Sequence, residues 1–221
     1  MKHRWCMSFL GIVMISCVGT ISYHESNVQD VSRSGLVNLS DIDPDIVIDL
    51  RYATDDNFLK RKVYPENVAF ILEPAGQRLK RVNNRLKAQG LRLKVWDAYR
   101  PLWVQKEMWK ILPDESFVAD PTKGSRHNRG CAVDVTLVDL QGKELEMPTP
   151  FDDFTEKAHP YYMDLSAAAI QNQKFLRDAM TGEGFLQFPT EWWHYDDPDW
   201  EKYPILDVDP YHAAVTIPWQ R

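Results

Sequence analysis

Two short stretches of this chain hold residue types that can build a hydrolytic metal site. The first reads Ser125-Arg126-His127-Asn128-Arg129-Gly130-Cys131-Ala132-Val133-Asp134, and the second Glu191-Trp192-Trp193-His194-Tyr195. Two imidazoles, His127 and His194, with one carboxylate, Asp134, form a donor set that holds a catalytic Zn²⁺ and leaves a fourth position open for water. An unligated carboxylate near that water, Glu191, has the chemistry of a general base. A third stretch, Trp96-Asp97-Ala98-Tyr99-Arg100-Pro101, ends in an arginine that can face a developing oxyanion, where its charge is worth more in a dry site than in water.

Each of these residues also has a plainer reading. A lone histidine is more often hydrogen-bonded or on the surface than metal-bound. Around His127, the small residues Gly130 and Ala132 allow close backbone approach, and Asp134 among Val133, Val135 and Leu137 needs a partner that a metal ion would supply. Glu191 and His194, three apart, share one face of a turn but oppose each other on a regular strand, and Pro189 argues for a bend. Two alternatives stand beside this: an aromatic core strand with polar ends, and Glu191 as a fourth ligand. Arg100 read plainly is a surface arginine paired with Asp97, which contributes little. Cys131 is either a thiolate ligand or a small buried residue, and the packing role is the commoner one.

The elements that must carry these residues can be read from periodicity. Asp45 to Leu50 reads as a short strand. Pro74 suits a first helical turn, with Leu79, Val82 and Leu86 at helical spacing and Gly90 as the stop. Leu91 to Val95 alternates with period two and runs on into Asp97 as a half-buried strand. Pro101 opens a helix through Val104, Met108 and Ile111, closed before Pro113. Ala132 to Val138 is a β-branched strand carrying Asp134, with His127 in the loop or strand edge before it and a turn at Gly142. Ser166 caps a helix through Ile170 and Phe175 to Met180, and a short strand is expected at Trp192 to Tyr195. Strands alternating irregularly with three helices indicate an α+β domain rather than a doubly wound sheet.

Composition fits one domain: 221 residues, 44% apolar, with Lys+Arg 26 against Asp+Glu 32 for a net charge of −6. The chain shows no basic run with interleaved aromatics, so a nucleic-acid partner lacks its electrostatic footprint. Lys2, His3 and Arg4 before an uncharged stretch to about Val18 fit a secretory signal, expected over residues 1–22 and short for a spanning helix. Val13 to Cys17 resembles a bacterial lipobox with Met14 where leucine is usual, so the one expected membrane connection is a lipid on Cys17. The remaining expectations are a linker over 23–40, a domain over 41–221 and no structural disulfide, because Cys6 and Cys17 fall in the signal.

The patterns Ser125-x-His127-x-x-Gly130-x-Ala132-x-Asp134, Glu191-Trp192-Trp193-His194-Tyr195 and Asp97-x-Tyr99-Arg100-Pro101, in that combination, resemble the zinc D-alanyl-D-alanine dipeptidases of the vancomycin-resistance type (peptidase family M15) from about Tyr52 to Tyr195. Related cell-wall carboxypeptidases and hedgehog-type domains share the metal half of the pattern. The resemblance implies a single α+β domain with a central antiparallel sheet and one Zn²⁺ held by His127, Asp134 and His194. It further implies Glu191 as catalytic base, Arg100 as the transition-state arginine, and Tyr52, Ser125 and Asp152 as contacts to the dipeptide. These three have plain alternatives as core packing, a turn residue and a solvated acid. Arg126 departs from the small polar residue of the vancomycin-resistance members. The implied activity is hydrolysis of free D-Ala-D-Ala by an exported, periplasmic enzyme of cell-wall turnover with no protein partner; a stem-peptide carboxypeptidase or endopeptidase and a non-catalytic zinc-stabilised module are the alternatives.

Overall fold

Three adjacent strands place Asp97, Asp134 and His194 in one row across a sheet. In antiparallel pairing the register sets Asp134 opposite His194, and on its other side a bulge between Val95 and Asp97 sets Asp97 opposite Asp134. The extra residue re-aims the strand end at the site, a common use of bulges. The computed structural model describes residues 33–115 and 117–211. The expected signal, Cys17 and the first part of the expected linker lie outside the described residues.

The strands are β1 (Leu36–Asn38), β2 (Val47–Ile48), β3 (Phe70–Leu72), β4 (Leu91–Asp97), β5 (Ala132–Asp139), β6 (Leu186–Gln187) and β7 (His194–Asp196). The α-helices are α1 (Leu39–Ile42), α2 (Glu73–Lys87), α3 (Leu102–Ile111) and α4 (Ala167–Gly182). A five-stranded sheet runs β2-β4-β5-β7-β6, antiparallel except for the parallel β2–β4 edge, and β1 pairs with β3 in a separate two-stranded sheet. The central antiparallel sheet expected from the sequence is therefore present, with one parallel edge strand.

Local sequence accounts for the long elements. In α2, Pro74 occupies the first turn, where its missing N–H costs nothing, and Leu79, Val82 and Leu86 form the buried stripe. In α4, the Ser166 hydroxyl accepts from the Ala169 N–H at 3.0 Å, the expected cap. These helices bring Leu79, Val82, Leu86, Leu176 and Met180 into one core with Leu93, Val95, Val133, Val135 and Leu137 of the central strands. Period-two alternation then turns Asp134 and Thr136 of β5 to the other face.

Two expectations are corrected. Residues 36–40 of the expected 23–40 linker belong to the fold: Leu36 and Leu39 are buried and β1 pairs with β3. The polar composition around them hid two apolar anchors. The strand expected at Trp192 to Tyr195 begins instead at His194, because residues 192 and 193 form a turn and the Trp192 N–H bonds Ala158 O at 2.9 Å, outside the sheet.

Candidate active site

His127 sits in a 3-10 turn, His127–Arg129, closed by Gly130 in the left-handed region at φ 69°. Glycine is needed twice here. A side chain would strain that φ, and a Cβ would stand 2.7 Å from Leu36 Cδ2 while Gly130 O accepts from the Leu72 N–H at 2.8 Å. The two-stranded sheet, neither strand of which was read from the sequence, thus presses on the turn that presents His127. The Arg100 N–H donates to His127 O at 3.1 Å, which ties the same turn to the segment after β4.

The three expected ligand atoms meet. His127 Nε2 lies 3.2 Å from His194 Nδ1, His194 Nδ1 lies 2.9 Å from Asp134 Oδ1, and His127 Nε2 lies 3.4 Å from Asp134 Oδ1. Tetrahedral bonds of about 2.0–2.1 Å to Zn²⁺ put neighbouring donor atoms roughly 3.3 Å apart, so the triangle has the size one face of such a coordination shell requires. The outer nitrogens fix the tautomers: His127 Nδ1–H donates to Ala98 O at 2.8 Å, and His194 Nε2–H donates to Asp196 Oδ1 at 3.0 Å. Both inner nitrogens then turn lone pairs toward the carboxylate, an arrangement that fits a cation. A metal ion competes with a proton for the inner nitrogen of His194: burial opposes charge on this imidazole, but Asp196 and Asp134 more than offset it and hold it well above its ordinary pKa. Burial likewise would raise the Asp134 carboxyl, and the two imidazoles instead hold it below its usual range.

Asp196 escaped the sequence reading, although its place two residues after His194 on one strand was the available signal. Its carboxylate also pairs with Arg126 Nη1, whose guanidinium stacks 4.3 Å from the Trp200 ring centroid. Asp196→Ala is expected to weaken zinc affinity about 10–100-fold, the usual effect of removing a carboxylate that orients a ligating histidine, as measured by competition with a chelating dye.

Glu191 reaches the same centre because the 192–193 turn carries it back toward His194, with Oε2 at 3.7 Å from His194 Nδ1. It stands outside the three-residue group of mutually close ligand atoms. Burial raises the Glu191 carboxyl above its ordinary pKa, with Asp134 adding to the rise while His194 and His127 oppose it. Trp192 and Trp193 are fully buried, so the aromatic core reading of this segment holds for them alongside the placement of its polar ends. Cys131 is core: its side chain is buried outside the ligand triangle, and burial pushes its thiol up to about 12.

Arg100 is not a surface residue. It is buried at 8% exposure, with Nε and Nη2 on Asp97 Oδ2 at 3.1 and 2.7 Å and Nη1 on Gln105 Oε1 at 2.9 Å. Asp97 is fully buried and also accepts from the Tyr64 hydroxyl at 2.7 Å and the Ala98 N–H at 2.9 Å. A guanidinium held on two sides by fixed acceptors keeps its remaining N–H groups aimed in one direction.

One cavity of about 360 Å³ joins these groups, and its wall includes all eight expected site residues: Tyr52, Arg100, Ser125, His127, Asp134, Asp152, Glu191 and His194. The Tyr52 hydroxyl donates to Asp152 at 3.1 Å, and the Phe58 N–H donates to Asp152 Oδ2 at 3.3 Å. Asp152 itself has φ 59°, a conformation rare outside glycine and tolerated by aspartate and asparagine. Ser125 Oγ accepts from the Asn128 N–H at 3.3 Å, which leaves its own O–H to donate into the cavity.

Burial pushes the Asp152 carboxyl up to about 7, against the opposing Phe58 N–H bond. A folded-state value above the unfolded one of about 3.9 means that this group destabilises the fold increasingly as pH rises from about 4 to 7, and by a constant amount above that. Asp152→Asn keeps an acceptor for Phe58 and carries no charge. It is expected to raise unfolding free energy by roughly 2–4 kcal/mol at pH 8 and by nothing below about pH 4, read from urea titrations at both pH values.

Residues 32–214 match the family model described as D-ala-D-ala dipeptidase, Peptidase M15. The D-alanyl-D-alanine dipeptidase of Escherichia coli K12 is 38% identical over 181 residues, covering 82% of this chain and 93% of that protein. Those of Enterococcus faecalis V583 and Enterococcus faecium are 32% and 31% identical, covering 71% and 77% of this chain and 87% and 94% of theirs. The chain belongs to the Peptidase M15 D-Ala-D-Ala dipeptidase family.

Proposed function

We propose that this chain is a zinc metallopeptidase that hydrolyses free D-Ala-D-Ala to two molecules of D-alanine. The observation that carries this reading is the enclosure, in one cavity of about 360 Å³, of a zinc-sized donor triangle, a half-buried glutamate beside it and an acid at another wall. That volume lies at the small end of ligand pockets, which suits a dipeptide. The names of the family and of its relatives supply the substrate.

His127, Asp134 and His194 would hold a Zn²⁺, which when bound would supply Lewis acidity and a water molecule of lowered pKa. Glu191 takes a proton from the attacking water, and its raised pKa suits it to pass that proton on to the leaving amine. Arg100 donates to the oxygen that gains negative charge, from a position Asp97 and Gln105 have already fixed, so no reorganisation is needed at the moment of reaction. Asp152 pairs with the substrate ammonium and Tyr52 holds Asp152, while the Ser125 hydroxyl donates to the substrate carboxylate. A longer peptide offers an amide where the ammonium would stand, which leaves this half-buried acid unpaired.

The decisive comparison is turnover of free D-Ala-D-Ala against a pentapeptide ending in D-Ala-D-Ala. Preference for the dipeptide supports the proposal; preference for the pentapeptide would assign a stem-peptide carboxypeptidase instead. The basic and apolar N-terminal stretch supports export to the periplasm through a signal over residues 1–22, the alternative being a lipoprotein signal with lipid attachment at Cys17, and a role in peptidoglycan turnover. Fractionation of producing cells tests the location, and recovery in the cytoplasmic fraction would contradict it.

A further inference from the structure

Arg126 lines the active cavity, and three neighbours fix its guanidinium there. Nη1 donates to Asp196, and Cζ lies 4.3 Å from the Trp200 ring centroid and 5.5 Å from that of Phe188, two rings that line the same cavity. A long side chain held this way has little rotamer freedom left to lose when a ligand arrives. It is still open to solvent, with 33% of the side chain exposed. Its Nε and Nη2 bond nothing among the described residues, and neither is among the unpartnered polar atoms sealed from solvent.

Those two nitrogens form one edge of the guanidinium, whose parallel N–H groups match the two oxygens of a carboxylate. The other cations of the cavity wall are committed elsewhere: Arg100 to Asp97 and Gln105, and Lys123 to Glu115 at 2.7 Å. Arg129 Nη1 donates to Tyr203 O, and its Cζ lies 5.7 Å from the Trp200 centroid. Arg129 pairs with no carboxylate among the described residues, so two guanidinia around the Trp200 ring share one acid, Asp196. That acid is 1% exposed and also accepts from His194 Nε2–H at 3.0 Å. This part of the wall therefore carries a positive balance, and the Arg126 edge presents it to the cavity.

Position selects the anion. One carboxylate, Asp196, links the Arg126 guanidinium to His194, and the Phe188 ring beneath that guanidinium lies 5.1 Å from the His194 ring. An anion on the free edge thus sits beside the metal-ligand triangle, away from Asp152, which Tyr52 and Phe58 hold. In a dipeptide the anion nearest the scissile bond is the α-carboxylate of the leaving residue. We propose that Arg126 receives this carboxylate through its Nε–Nη2 edge, so that the enzyme requires a free C-terminus beside the bond it cuts. The inference rests on the dipeptidase reading and adds to it a charged specificity residue: the Ser125 hydroxyl is a neutral donor, and Arg126 supplies the charge. An amide or a further residue at that end offers no anion to the edge.

The test measures kcat and KM for D-Ala-D-Ala and for its C-terminal amide in the wild type, Arg126→Gln, Arg126→Met and Arg126→Lys, with zinc content and circular dichroism on each preparation. Glutamine keeps a donor for Asp196 without the charge, methionine removes both, and lysine keeps the charge without the fork. The wild type should prefer the acid over the amide by about 10–100-fold in kcat/KM, the scale of one charge-assisted pair. Arg126→Gln should lose most of that preference, chiefly through a higher KM for the acid, because the carboxylate is bound before and during reaction alike. Arg126→Met should lose it too, and Arg126→Lys should keep part of it. A folded, zinc-loaded Arg126→Gln or Arg126→Met with the wild-type preference would overturn the inference, even if both substrates slowed together, because a common loss marks a role confined to holding Asp196. A wild type that cleaves the amide as well as the acid would overturn it as well. Both results leave the dipeptidase reading standing, whereas a wild type inert on the free dipeptide would defeat that reading itself.

Discussion

Glu191→Gln is expected to bind zinc as the wild type does and to lose roughly 10²–10⁴-fold in kcat, the range for removal of a general base. The substitution is nearly isosteric and leaves the donor triangle of His127, Asp134 and His194 untouched. It removes the group that can take and return a proton. Because Glu191 stands 3.7 Å from His194 Nδ1 and outside the triangle, loss of activity should occur with metal content unchanged. Steady-state rates at saturating dipeptide together with zinc per chain by elemental analysis check this. Full zinc with wild-type turnover would remove Glu191 from the mechanism, whereas loss of the zinc would make it a ligand.

Arg100→Met should be costly in two separate ways. Loss of a fixed cation at the developing oxyanion lowers kcat about 10²–10³-fold, the scale for losing one such donor. Loss of the partner also strands the fully buried Asp97 carboxylate, and breaking a buried pair on one side costs about 3–5 kcal/mol of stability. Pairing the substitution with Asp97→Asn separates the two effects. The asparagine carbonyl can still accept from Tyr64 and the Ala98 N–H, so the double variant should recover most of the stability and none of the activity. Urea unfolding and kcat measured on the same preparations test it; activity recovering along with stability would reduce Arg100 to a structural residue.

Much of the site was legible because its chemistry lies in short local patterns. His127, Gly130 and Asp134 fall within eight consecutive residues, and the three-residue spacing from Glu191 to His194 carried its own geometric requirement, which the turn at 192–193 meets. The long elements were legible for a similar reason: α2 and β4 bury a periodic stripe or alternate face, so propensity and packing agree. What escaped depends on pairing between distant segments. β1 is three residues long in a polar surround, and only its partner β3 makes it a strand. The bulge that brings Asp97 level with Asp134 is a property of register, which no window of local sequence encodes. Asp97 was weighed as a surface partner for Arg100; the pairing is right, and its complete burial came from Tyr64 and the strand row.

Anomalous diffraction at the zinc absorption edge, on crystals of the purified protein grown with zinc, tests the central claim most directly. One strong peak should lie about 2.0–2.1 Å from His127 Nε2, His194 Nδ1 and a carboxylate oxygen of Asp134. A peak elsewhere on the molecule, with none within bonding reach of those three atoms, would contradict the account.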